Sequence, residues 1–169
     1  VTECVDVAII GGGPAGLSAA IAVARAGLRP VILDARERVG ETIRRTGDGR
    51  CNISNAQVSA WDYYNHDFVR RVFLRCSPKQ TIAFLEGCGI MLREEGQGRL
   101  YPVPNKATAV IEALLAEVRR LNIETRCSQK VSFIRRNADA WTISCDDAPS
   151  LRAHQVIVCT GGGMKKGFL

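Results

Sequence analysis

Two kinds of hydrophobic pattern alternate along the chain. Val5–Ile10 (VDVAII), Pro30–Asp34 (PVILD) and Gln155–Thr160 (QVIVCT) are short, nearly continuous apolar runs. Such runs predict strands buried on both faces of a parallel sheet. Between the first two, Leu17–Ala26 is Ala-rich with strong helix propensity, and Gly27 supplies its stop. In Lys106–Leu121, Val110, Leu114, Val118 and Leu121 recur at helical spacing. Asp67–Cys76 and Lys79–Cys88 also predict helices, with Ser77 as N-cap and Pro78 at the first position of the second. Ile90–Arg93 and Arg99–Val103 predict a hairpin around Gly96–Gly98. Ile123–Cys127 predicts a further sheet strand. Lys130–Arg136 and Ala140–Cys145 predict a meander turned at Asn137–Asp139, with Leu151–Ala153 as its third strand.

The first apolar run is followed at once by GGGPAG, residues 11–16. Gly11-x-Gly13-x-x-Gly16 alone is a weak signal. Here it follows a strand and opens a helix, and Asp34 ends the next strand. That context makes it a dinucleotide-binding turn. Gly11 allows the tight turn, Gly13 lets a pyrophosphate approach the backbone, and Gly16 lets helix and strand pack closely. Pro14 and Ala15 open the helix, whose N-terminus offers N–H groups and a positive dipole end to phosphates. Asp34 is placed to accept hydrogen bonds from a ribose diol and to repel a 2′-phosphate, which disfavours NADP at this site. FAD and NAD remain open on this pattern alone. The expected fold class is α/β: a Rossmann-like parallel sheet with a β-meander crossover and a mainly helical excursion at 56–121.

Composition changes this picture little. The chain has 169 residues, 46% of them hydrophobic and 24% charged, which is ordinary for a globular domain. No apolar run approaches the roughly 18 residues of a membrane span, and VTECVDVAII has no basic leader region. A cytoplasmic location without membrane contact is the expectation. The seven Cys are odd in number and none are spaced C-x-x-C, which argues against a zinc site or a disulfide framework. Those in TRC, ISC and IVC (Cys127, Cys145 and Cys159) are expected to be small buried hydrophobes. The net charge is +6, but the basic pairs are scattered. Solvated faces are expected rather than a nucleic-acid surface, with part of the charge facing an anionic cofactor.

Thr46–Asn55 reads TGDGRCNISN. Its turn residues predict a loop, yet an Arg-Cys pair stands at its centre. Together with AIIGGGPAGLSAAIAVARAG, EGQGRLYPVPNKATAVIEALL and VIVCTGG, it makes the chain resemble the BaiN-like (aminoacetone-oxidase-type) NAD(P)/FAD-dependent flavoproteins. GGGPAG is shared by many flavoproteins, whereas the GRCN and GRLYP segments are much more specific.

The resemblance implies an FAD site. It places Gly40 and the loop of Thr46, Gly47, Gly49, Arg50, Cys51 and Asn52 along the cofactor near its flavin end. Arg50 then supplies positive charge or braces the loop. Asn52 offers hydrogen bonds, and Cys51 is a packed thiol rather than a redox partner. Ala35 and Arg36 are expected to border the adenosine, Val131 to contact adenine through its backbone, and the Thr160-Gly161-Gly162 turn to pass close to the cofactor. NAD(P)H is the candidate electron donor.

The chain departs from the family pattern in four ways. Asp34 stands where a Glu is usual, which implies a shorter reach. Thr42 stands where a Lys is usual, and Pro104 where a Ser is usual. The resemblance also implies a chain more than twice this long. Residues 1–169 are therefore expected to be an incomplete FAD-binding domain, truncated before its substrate domain and return segment. His66 and His154 offer no acid–base dyad, and Tyr63, Tyr64 and Tyr101 are expected to pack, so no catalytic residue is assigned. Three functions follow: an FAD-dependent oxidoreductase acting on an unknown small molecule, a non-catalytic module that holds the ADP half of FAD and needs a partner chain, or, more weakly, an NAD-binding regulator. An exposed sheet edge would favour self-association or capture of a partner.

Overall fold

The computed structural model describes residues 4–163. Strand β1 (Cys4–Ile10) leads into helix α1 (Pro14–Arg25) and strand β2 (Pro30–Leu33), the expected βαβ unit. Helix α1 stops where Gly27 takes a φ of +81° and the Leu28 N–H returns to the Val23 carbonyl. Then come β3 (Ser54–Asn55), α2 (His66–Arg75), α3 (Pro78–Glu86), β4 (Leu92–Glu95), β5 (Arg99–Pro102) and α4 (Ala107–Arg120). The chain closes through β6 (Glu124–Arg126), β7 (Val131–Arg136), β8 (Trp141–Cys145) and β9 (Leu151–Val158).

These elements form two compact units, one of residues 1–42 with 114–169 and the other of residues 43–113. The first unit is built on a six-stranded sheet ordered β6-β2-β1-β9-β8-β7. Strands β6, β2, β1 and β9 run parallel, and β7–β8–β9 is an antiparallel meander. Side chains alternate across a strand. Ala8, Ile10, Val31 and Leu33 therefore share a face, and the meander residues Val131, Ile134, Ile143 and Leu151 pack over it. Val7, Ile9 and Ile32 point to the opposite face, where α1 lies with Leu17, Ala20 and Ile21 fully buried. Among the described residues one charged side chain is buried. Glu117 on α4 accepts hydrogen bonds from Arg25 Nη2 at 2.9 Å and from Arg120 Nε and Nη2 at 2.7 Å. Those guanidinium bonds, Arg120's first, hold its carboxyl down at about 2 against the penalty of burial.

The second unit holds a three-stranded antiparallel sheet ordered β3-β5-β4 beside α2 and α3. Ser77 caps α3, accepting from the Gln80 N–H while the Gln80 side chain accepts from the Ser77 N–H.

The structure differs from expectation at three places. The compact segment begins at Ile43, and it carries a sheet as well as helices. The two strands expected at 151–153 and 155–160 are one strand, β9. Val156, Ile157 and Val158 are half-buried rather than buried, because β8 pairs with β9 only as far as Ala153. Tyr64 does not pack but is fully exposed, and α2 leaves Phe68, Val72 and Leu74 exposed. Among the described residues no helix is long and apolar enough to cross a membrane.

Candidate cofactor site

The turn between β1 and α1 is walled by backbone. Gly11 has a φ of +102°, and a Cβ there would stand 2.5 Å from the Cys159 carbonyl oxygen. A Cβ on Gly16 would stand 1.8 Å from the Gly11 carbonyl oxygen. Both lie far inside van der Waals contact, so packing alone requires glycine. Gly12, which the motif leaves unassigned, is equally confined: a Cβ would meet Val39 Cγ1 at 2.3 Å. Its N–H donates to Asp34 Oδ2 at 2.5 Å, and its carbonyl accepts from the Gly40 N–H at 2.7 Å.

Gly13 is different. Its φ of −77° suits any residue, and the only neighbour a Cβ would meet is Thr42 Oγ1, at 3.0 Å. That contact is tight, but it is with a side-chain hydroxyl that would have to give by a few tenths of an ångström, not with backbone as at Gly11 and Gly16. Gly13 is also the N-cap of α1, no side chain caps that helix, and Pro14 at its first position has no N–H. The helix N-terminus therefore presents donors and a positive dipole end beside a backbone stripped of its side chain. Pro14 and Ala15 are exposed at this mouth.

Asp34 is already engaged. Oδ2 accepts from the Gly12 N–H and Oδ1 from the Arg36 N–H at 2.8 Å, so the carboxylate shapes the turn itself. Its remaining lone pairs are free to accept more. Ala35 and Arg36 line an open depression with Glu37, Arg38 and Glu41. The segment that lies against residues 34–36 is Ser128–Gln129: the Ser128 N–H donates to the Arg36 carbonyl at 2.8 Å and the Gln129 N–H to the Asp34 carbonyl at 2.9 Å. Val131, two residues on, has its side chain in the core under the meander. Thr160 follows β9, and its backbone nitrogen is 3.2 Å from where a Gly11 Cβ would be. Gly161 and Gly162 face open space in a short 3-10 turn. The Cys159 thiol beside the turn is pushed up by burial, away from the reactive thiolate.

The Thr46–Asn52 loop belongs to the other unit, which fixes its shape internally. The Gly49 and Cys51 N–H groups both donate to the Thr46 carbonyl at 3.1 Å, and Thr46 Oγ1 donates to the Ile43 carbonyl at 2.7 Å. Gly47–Gly49 form a 3-10 turn in which Asp48 takes a φ of 53°; buried Cys51 takes 60°. Arg50 holds these left-handed positions. Its Nε donates to Asn105 Oδ1 at 2.7 Å, its Nη2 to Glu95 Oε1 at 2.5 Å, and its guanidinium lies 4.1 Å over the Tyr101 ring. The Arg50 bond pulls the Glu95 carboxyl below its ordinary value. Arg50 is therefore a brace, and Asn52 is exposed, as are Thr46 and Asp48. Cys127, Cys145 and Cys159 are half-buried rather than buried; the buried thiols are Cys51 and Cys88.

Residues 5–165 match the HI0933-like protein Rossmann domain. The chain belongs to this family. It is 33% identical over 166 residues to the 3-dehydro-bile acid delta(4,6)-reductase of Clostridium scindens, covering 96% of this chain and 40% of the relative. It is 25% identical to the ribosomal RNA dihydrouridine synthase of Escherichia coli, covering 95% of this chain and 40% of that one. The chain thus spans about two-fifths of the length of these curated relatives. Among solved structures, the 3-ketosteroid-delta4-(5alpha)-dehydrogenase of Rhodococcus jostii superposes with a TM-score of 0.68 at 13% identity, over 92% of this chain and 45% of that one, a likeness of fold. The resemblance read from the GRCN and GRLYP segments agrees with the family found.

Proposed function

We propose that this chain is the FAD-binding part of a flavin-dependent oxidoreductase. One observation carries the reading: at Gly13, the uncapped N-terminus of α1, no backbone stands where a side chain would go, and the one atom there is the Thr42 hydroxyl. The missing side chain leaves room for something outside the chain, and the helix end beside it selects an anion. The diphosphate of a dinucleotide fits that place, with Gly11–Gly16 as cradle, Asp34 toward the ribose, and Ala35, Arg36 and the Ser128–Gln129 backbone toward the adenosine. Gly40 and Thr160–Gly162 complete the proposed set in this unit. Bound FAD would supply two-electron redox chemistry, and these residues hold and orient it.

The relatives' names suggest a reaction class. A delta(4,6)-reductase and a dihydrouridine synthase each add hydrogen across a carbon–carbon double bond conjugated to a carbonyl. We assign the same class here, with NADH or NADPH as donor. The purified chain should be yellow, release FAD on heating, and bleach with a nicotinamide donor. Gly13→Ala should abolish FAD binding while costing the fold only about 1 kcal/mol through a poorer N-cap. FAD bound by that variant as by wild type would remove the argument. A second reading is a module that holds the ADP half of FAD and needs a partner chain. FAD binding without nicotinamide reduction would select it, and light scattering would detect the partner as self-association.

A further inference from the structure

Thr42 Oγ1 is buried without a hydrogen-bond partner, alone among side-chain oxygens and nitrogens of the described residues. Burying an unpaired hydroxyl is unfavourable, and folded chains rarely leave one. Its position explains the exception. Residues 39–42 lie along the glycine turn: Val39 blocks Gly12, the Gly40 N–H holds the Gly12 carbonyl, and Thr42 follows beside Gly13. An atom approaching Gly13 along the direction a Cβ would take comes upon Thr42 Oγ1 at 3.0 Å and no other atom beyond the turn itself.

We infer that Thr42 is a cofactor ligand, its hydroxyl donating to a diphosphate oxygen that lies over Gly13 at the N-terminus of α1. The inference rests on the dinucleotide reading of the turn and adds to it a side-chain donor that the glycine motif does not contain. A hydroxyl can also turn about χ1 to follow the ligand, and it brings no charge. Where the family resemblance expects a lysine, this chain binds the phosphate by a neutral hydrogen bond, at a site whose formal attraction comes from the helix end.

The role has a signature that mere packing lacks. In the ligand-free chain the hydroxyl is a cost, so Thr42→Val, which keeps the shape, should melt no lower than wild type. The same variant should bind FAD about tenfold more weakly, the loss expected for one hydrogen bond to a charged acceptor. Titration calorimetry on the 169-residue chain with FAD and with ADP, beside thermal melts without ligand, reads both. Thr42→Ser should recover most of the affinity, and ADP should show the same loss as FAD. FAD and ADP bound equally by wild type and Thr42→Val would overturn the inference while leaving the turn's reading intact. A lower ligand-free melt in Thr42→Val, in parallel with weaker binding, would assign the hydroxyl to structure and overturn it too. A wild-type chain that binds neither FAD nor ADP would overturn the dinucleotide reading itself, and this inference with it.

Discussion

The glycine turn and the Thr46–Asn52 loop hold their shapes by opposite means. The turn is defined by absence: at Gly11, Gly12 and Gly16 any side chain would overlap a neighbour. The loop is defined by attachment. Asp48 and Cys51 keep their side chains in the left-handed region, and Arg50 ties the segment to Glu95, Asn105 and Tyr101. Each such position costs roughly 1 kcal/mol or more, so the tether must offset it. A turn shaped by sterics makes no side-chain bond of its own to its neighbours but accepts no side chain where they press on it, at Gly11, Gly12 and Gly16. A tethered loop accepts varied residues but depends on positions 45 and 55 places along the chain.

The largest test of this contrast is Gly16→Val. With its Cβ 1.8 Å from a carbonyl oxygen, the variant should lose about 3 kcal/mol or more of stability. A urea midpoint at the wild-type value would break the steric account. Next is Glu117→Gln, because the parallel-sheet unit also has a buried tether. The folded carboxyl lies at about 2, below its ordinary 4.5. The Glu117 contribution is therefore complete above about pH 4.5 and is lost as the pH falls toward 2. Since Arg120 is 64% exposed, the worth at neutral pH is about 1–2 kcal/mol. Melts from pH 7 to 2 should show wild type losing this margin and the variant starting without it; equal slopes would refute the assignment. The smallest global effect belongs to Arg50→Ala, whose interactions face water. Its midpoint should barely move, while proteolytic cleavage within residues 46–52 should become severalfold faster. Arg50→Lys should not restore protection, since one ammonium cannot span both Asn105 and Glu95. Unchanged cleavage in both variants would show that the loop holds itself.

What could be read from the sequence follows the same division. The βαβ unit, α3 with its Ser77 cap, the β4–β5 hairpin and the meander are local patterns, each set by residues within a few positions. Gly16 is legible for that reason, because the carbonyl its Cβ would meet belongs to Gly11 in the same six-residue motif. Gly12 was not, since its constraint is Val39 from another loop. Nor was the partnership of Ser128–Gln129 with residues 34–36, which backbone atoms make and no side chain announces. The clamp on Arg50 joins three segments, and only the fold brings them together. Strand β3 is two residues long and has no periodicity to detect. The pattern predicts a break at residue 154 because His154 stands between two apolar runs. The backbone continues through it because β1 pairs with β9 as far as Val158.

That continuous strand has a consequence for isotope exchange. The Cys159 N–H donates to the Ile10 carbonyl, and alternation along a strand turns the Ile157 and Gln155 amides the same way, into β1. The Val156 and Val158 amides face the other side, where β8 no longer pairs. Deuterium should therefore enter β9 with a period of two, fast at 156 and 158 and slow at 155, 157 and 159. Anything that later lies along that side, whether another strand or another copy of the chain, would erase the alternation and give the even-numbered amides the protection of their neighbours.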